Sequence, residues 1–489
     1  MESLRQQGLR ESRMLTRSLR TARLDLRPVV IIAVLWRELH VMTIGSVPRF
    51  SPSRDRREGT RMTVRDRPRA VLSWALYDWA NSAFITTVTA GFFPIFFKEY
   101  WSRGADTTVS TARLALANSL SGILIALAAP LLGAVADKGT TRKRFLVFFA
   151  YLGVVMTVGL SLVAQGHWPL AVILYVLAVV GFSGGNIFYD ALLICVASPK
   201  RMDSVSALGY GLGYLGGGVL FALCVWTTLK PATFGLAGVE EAVKWSFIMV
   251  GAWWAVFSIP LLLFVEEPKR NHEHRTQNTV RAGWSQLIET FKHIRVLKPI
   301  LVFLSAYWLY IDGVDTIVRM AVDYGMSIGF QSKDLITALL VTQFVGFPSA
   351  ILFGRLGTRV GAKRAIYFAI VVYVLVCFWG AFMRQKHEFY VLATVIGLVQ
   401  GGIQALSRSY YAKLIPENKA AEFFGFYNMI GKFAVVIGPV LMGGFGLTAR
   451  KLGFDAVVAA RISISSVAIL FLAGGAILRF APEGGAEET

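Results

Sequence analysis

The chain has 489 residues, of which 55% are hydrophobic and 16% charged, and it carries a formal net charge of +20. A water-soluble fold of that length cannot cover so much apolar surface with so few charges, which excludes a soluble globular protein. The three cysteines show no CxxC spacing and no segment matches GxxxxGK[ST], which argues against a thiol-based metal centre and against direct ATP drive.

Residues 1–70 form a basic N-terminal extension with sixteen Arg, no Lys and seven acids. Beside a membrane protein such a block reads as a disordered cytosolic segment near anionic lipid rather than a nucleic-acid binder. Its apolar run, residues 29–36, is too short to span. Met62 then opens a short basic lead, and translation is expected to begin there.

Twelve apolar stretches follow, at about 71–97, 113–136, 143–165, 168–190, 204–228 and 244–265, then 298–320, 334–356, 362–383, 388–410, 421–447 and 458–480. About 20 apolar residues suffice to cross a bilayer as a helix, and only helices or closed barrels satisfy their backbone there. The expected fold is an all-α membrane protein, with twelve transmembrane helices in two six-helix bundles at 71–265 and 298–480. Residues 266–297 read as a cytosolic linker whose second part, WSQLIETFKHIRVL, has the apolar spacing of a surface helix. Residues 481–489 are left as a C-terminal tail. Lys and Arg concentrate in the loops after the even-numbered spans, which places those loops and both termini in the cytoplasm.

The even-numbered loops contain a repeat. After span 2 the chain reads GAVADKGTTRKR, with Gly133, Asp137, Arg142 and Lys143; after span 8 it reads GRLGTRVGAKR, with Gly354, Thr358, Arg359 and Gly361. Each copy is a glycine, a polar residue four later and a basic cluster, at the same point of each half. Such duplication builds two bundles around a central site. The glycine permits close helix approach, and Asp137 can cap a helix start or pair with a base.

Ionisable groups at bilayer depth usually face the bundle interior. Span 1 offers Tyr77 and Asn81 on one face with Asp78 beside them. Asp78 reads either as a proton-binding or gating carboxylate, or as a helix-start acid paired with a loop base such as Lys143. Span 4 places Asn186 and Asp190 four apart, with Asp190 expected in an inter-loop ion pair. Gly209, Gly213 and Gly217 in span 5 repeat every four residues, a stripe that seats another helix. Span 7 sets Asp312, Asp315 and Arg319 on one face, with Tyr310 nearby; one base for two acids leaves a carboxylate able to carry a proton. Span 10 shows Gln400, Gln404 and Ser407 on one face, while Arg408 reads as a snorkelling or loop cation. Span 11 places Asn428 and Lys432 four apart. Trp74, Trp101, Trp168 and Trp245 fall near span ends, as interfacial anchors do. All six histidines lie in tails or loops, so no metal site is expected.

The loop repeat resembles the signature of the major facilitator superfamily. Two stretches, SWALYDWANSAFITTV at 73–88 and SRSYYAKLIPENKAAEFFGFYNMIGKFAVVIGP at 407–439, are similar to its vacuole-effluxer branch, also called the unknown major facilitator family. That resemblance implies a carrier working by alternating access; fungal members are associated with releasing amino acids from the vacuole. The expected activity is secondary transport of a small polar or amphipathic solute, amino acids among the candidates, with protons as the candidate coupling ion. The partners expected are the lipid bilayer and the solute, with no nucleic acid, no cofactor and a monomeric state, in the inner membrane of a bacterium. Lipid or lysolipid translocation on the same fold, and a non-transporting receptor or scaffold, are the rival readings; an enzyme is not expected.

Overall fold

A computed structural model describes residues 65–105, 107–139, 142–267, 298–327, 332–433 and 437–483. The extension before residue 65, with Met62 and the run at 29–36, lies outside the described residues, as do the expected surface helix after residue 267 and the end of the tail. So do the side chains of Arg319 and Lys432.

The first span is one long helix, α1, running from Pro68 to Trp101 rather than ending near residue 97. Its outer part winds in the wider π register over Phe84–Phe92 and Phe97–Trp101. Pro94, which has no N–H to give, lies between the two π segments. Then come α2 (Thr107–Gly139), α3 (Arg142–Leu160), α4 (Trp168–Val196), α5 (Met202–Leu229) and α6 (Val239–Phe264). The second half holds α7 (Lys298–Ser327), α8 (Ser332–Val360), α9 (Ala362–Phe382) and α10 (Lys386–Leu414).

The eleventh span, expected at 421–447, is described as α11 (Ala420–Phe433) and α12 (Ile437–Lys451); residues 434–436 lie outside the described residues. The twelfth span is α13 (Ala456–Ser466) and α14 (Ala468–Leu478), interrupted at Val467. Among the described residues eleven helical segments are long and apolar enough to cross a membrane; α11 and α12 supply the remaining crossing as two shorter pieces. Leu127, Phe148, Leu263 and Phe382 stand fully outward, as lipid-facing side chains do.

The halves meet along two seams. In one, α2 packs on α11; in the other, α5 packs on α8 and α10. Counting six spans on from α2 and α5 gives α8 and the eleventh span, so the two seams are the same contact made twice by the duplicated halves. The loop glycines sit in equivalent places within them. A Cβ on Gly133 would strike the carbonyl oxygen of Ala421 at the start of α11, and one on Gly354 would strike Ala207 near the start of α5.

Two of the expected interfacial tryptophans are corrected. Trp74 and Trp101 are wholly buried, while Trp245 is exposed. Trp74 stacks on Tyr189 with ring centroids 4.4 Å apart, and Trp101 lies in an aromatic cluster with Phe93, Phe96 and Phe247. Packing, rather than the lipid interface, uses these rings.

Candidate functional site

The centre of the site is Arg408, near the end of α10 on the side of the even-numbered loops. The expectation of a snorkelling cation fails because no water or lipid headgroup reaches it: the side chain is 2% exposed. Its Nη1 donates to Asp78 Oδ2 at 3.3 Å and Asp190 Oδ1 at 3.2 Å, and Nη2 donates to Asp78 Oδ2 at 3.3 Å. Nε donates to Ser206 Oγ and Nη2 to the Ser206 carbonyl, both at 2.9 Å. Five donor contacts match the five N–H groups of a guanidinium. The group also lies over the rings of Trp74, Tyr189 and Tyr210, with Tyr210 at 4.3 Å, a cation–π arrangement strengthened by burial.

Three helices of the first half therefore grip one side chain of the second. Asp78 comes from α1, Asp190 from α4 and Ser206 from α5. Each carboxylate is held in turn: Tyr189 donates to Asp78 Oδ2 at 2.7 Å, and Asn428 of α11 donates to Asp190 Oδ2 at 3.2 Å. A Cβ on Gly209 would lie 2.7 Å from Asp78 Oδ2 and 3.0 Å from Arg408 Nη2. That glycine clears the space for the ion cluster. The rest of the stripe seats α1, as expected: a Cβ on Gly213 would meet Ser82 Oγ at 2.6 Å, and one on Gly217 would meet Thr86 Oγ1 at 2.7 Å.

The alternative pairing of Asp78 with Lys143 is not formed. Lys143 Nζ donates to the Val265 carbonyl at 2.9 Å instead, tying the start of α3 to the end of α6. Its counterpart in the second half, Lys363, donates to the carbonyls of Arg479 and Ala481 at 3.1 and 2.5 Å, tying α9 to the end of α14. The inter-loop ion pair expected of Asp190 is a buried one with Arg408, inside the helical layer.

A second clasp lies beside the first. Asp137 Oδ1 accepts from Arg142 Nε at 2.7 Å, and its carboxylate also accepts the backbone N–H groups of Ala421 and Glu422 at 3.2 and 2.8 Å. A carboxylate from α2 thus caps α11, where the helix offers unpaired N–H groups and a partial positive charge. Arg142 reaches across to the Glu417 carbonyl at 3.2 Å. The second copy of the motif makes no such bridge. Thr358 is exposed and donates to the Arg355 carbonyl of its own helix. Arg359 is exposed, and Gly361 turns the chain with φ +91°. An ion pair between Lys413 of α10 and Asp203 of α5, at 2.7 Å, closes that seam instead.

Asp312 is wholly buried on α7 and caps α12, accepting from Ile437 and Gly438 N–H at 3.0 Å each and from Thr316 Oγ1 at 3.1 Å. The N–H groups of Ala421 and Glu422, and of Ile437 and Gly438, in the eleventh span are thus each met by a carboxylate supplied by another helix. Asp315, one turn on, is half-buried within electrostatic range of Tyr210, Tyr214, Tyr307 and Tyr373.

The remaining expected residues fall into separate groups. Asn81 donates to Asn186 at 2.7 Å, joining α1 to α4. Tyr77 is buried against Tyr189, with centroids 4.9 Å apart. Tyr310 and Ser407 hydroxyls are 2.7 Å apart inside the second half. Gln404 accepts from Tyr214 of α5 at 3.2 Å, across the seam. Gln400 lines a cavity within the second half, and among the described residues its buried amide oxygen has no partner. Sequence reasoning missed Arg408, Ser206, Tyr189, Tyr210 and Tyr214 as site members. Spans 1 and 4 hold two acids and no base, and span 10, past Glu388 at its start, holds one base; balancing those charges would have found Arg408. Among the described residues no group of three His, Cys, Asp or Glu is placed to hold a metal.

Two six-helix halves meeting along duplicated seams, with in-membrane charges gathered between them, define a carrier of the major facilitator fold. The chain aligns with the human organic anion transporter MFSD10 (TETRAN) at a TM-score of 0.60, over 84% of this chain and 100% of that one, at 15% identity. Residues 66–480 match the family model described as vacuole effluxer Atg22 like, and the chain belongs to that family. It is 40% identical over 413 residues to the uncharacterized MFS-type transporter YxiO of Bacillus subtilis (strain 168), covering 84% of this chain and 94% of YxiO. It is also 23% identical to autophagy-related protein 22 of Eremothecium gossypii, over 77% of this chain and 85% of that protein. The chain is thus a multi-pass integral membrane protein of the MFS transporter type.

Proposed function

We propose that this protein is a secondary transporter of a small polar or amphipathic organic solute, amino acids among the candidates. It would work by rocking its two halves, and the described state is the one closed on the even-loop face. The observation that carries this reading is the buried Arg408 cluster. Helices of opposite halves share one guanidinium, so the even-loop face cannot open while it is held. The Asp137 clasp and the Lys413–Asp203 pair act on the same face. The Lys and Arg bias of those loops supports a cytoplasmic position for them, with both termini inside and the chain in a bacterial inner membrane.

One Arg facing Asp78 and Asp190 leaves a net charge of −1 in the cluster. A single proton would balance it, which supports proton coupling at this point; Asp312, Asp315 and Arg319 form the second candidate group on α7. Asn81, Asn186, Gln400, Gln404, Asn428 and Lys432 are the candidates for the solute wall, with Tyr77 and Tyr310 as aromatic faces.

The test is uptake into vesicles of purified protein, in both orientations, with and without an imposed pH gradient. The transport reading expects accumulation of at least one amino acid or small polar solute, lost in Arg408→Met. Absence of any solute flux in the wild-type protein, with labelled lipid moving instead, would transfer the assignment to a lipid translocator. A phenotype unchanged by Arg408→Met would leave only the scaffold.

A further inference from the structure

The second half contains a cavity that the clasp does not use. Residues of α7, α8, α9, α10 and α13 line a cavity of ≈ 100 Å³, of the order of apolar cavities that hold one small molecule. Its wall is apolar, with Val376, Cys377, Leu392 and Ile396 among the lining residues, and among the described residues no charged side chain lines it. Thr342, the hydroxyl at its edge, directs its hydrogen to the carbonyls of Ala338 and Ala393. Gln343 and Gln400 supply the other polar groups. Among the described residues the buried Gln400 amide oxygen has no hydrogen-bond partner, and a buried acceptor left unpaired is costly.

The polar end faces the seam. Gln343 lies against α5, where a Cβ on Gly218 would sit 3.0 Å from it, and Gln400 is one turn from Gln404, which accepts from Tyr214. Every lining residue belongs to the second half, so rocking of the halves would carry the cavity whole.

We propose that this cavity binds an uncharged alkyl or aryl group carrying one N–H or O–H donor. The donor bonds to Gln400 Oε1 and the apolar part lies between α8, α9 and α10. A charged headgroup finds no partner there. The same chemistry can arrive from the bilayer as an uncharged amphiphile, or from the chamber as part of a solute. The inference does not rest on transport, because binding alone tests it.

The full chain in lipid vesicles is irradiated with an octanol bearing an aliphatic diazirine, and adducts are mapped by peptide mass spectrometry. Adducts are expected within 376–383 and 389–400, and excess decanol should suppress them. Gln400→Leu should raise the decanol concentration needed by about five- to ten-fold, the loss of one buried hydrogen bond. Ala393→Phe should fill the space and abolish those adducts in protein that still elutes monodisperse; if it does not fold, decanol competition on the wild type decides. Competition by 1-monooleoylglycerol assigns the site to bilayer amphiphiles, and competition by water-soluble benzyl alcohol assigns it to solutes. Adducts confined to outward-facing Phe378, Trp379 and Phe382, unaffected by decanol, would overturn the proposal.

Discussion

The two copies of the loop motif do the same packing and different electrostatics. Gly133 and Gly354 both let a helix of the opposite half approach at backbone distance, and Lys143 and Lys363 both tie off the carbonyls that end their half. The polar position between them has diverged. Asp137 caps α11 across the seam, whereas Thr358 turns back on its own helix. Duplicated halves thus keep what geometry demands of both and place charge where one seam needs it. The second seam is held from other positions, by Arg408 and by Lys413.

That division of labour can be broken from either side. Arg408→Met should have the largest effect, because it strands two buried carboxylates; a destabilisation of about 3–5 kcal/mol is expected. It would be read as a lowered Tm in detergent, with partial recovery in the Asp78→Asn, Asp190→Asn background. Asp137→Asn comes next, at about 1.5–3 kcal/mol, since it removes charge-assisted bonds to two backbone N–H groups and to Arg142. Spin labels on the even-loop face should then report a larger open fraction, and adding Thr358→Asp should not restore closure. Lys143→Met should cost about 1 kcal/mol and Lys363→Met up to about 2 kcal/mol, in proportion to the one and two carbonyl bonds they lose. A difference of more than twofold between them would end the claim of equivalence. Thr358→Val should stay within about 0.5 kcal/mol of the wild type, as an exposed position outside the seam; a larger loss would show that the second copy bears load after all.

Periodicity and length made the spans readable, and the repeat with its glycines pointed to the seams. Face arguments set Tyr77, Asp78 and Asn81 side by side, and Asn186 with Asp190; the structure pairs Asn81 with Asn186 and gathers Asp78 and Asp190 on Arg408. What they could not supply was the partner. Arg408 lies 330 residues from Asp78, and a helical face specifies direction without saying which helix stands opposite. The same limit hid the role of Asp312, whose acceptors are met by N–H groups 125 and 126 residues further on. Trp74 misled for a related reason, since closeness to a span end in sequence says nothing of depth beneath neighbouring helices.

The glycine bed under α1 has a consequence for how the clasp lets go. Because the glycines of α5 give no side chains to the contact, Ser82 and Thr86 of α1 lie directly on its backbone, and Asp78 and Ser206 stand on closely apposed helices. Under the proposed rocking motion, release of the guanidinium is expected to be a concerted step, since Asp78, Asp190 and Ser206 all hold it at once.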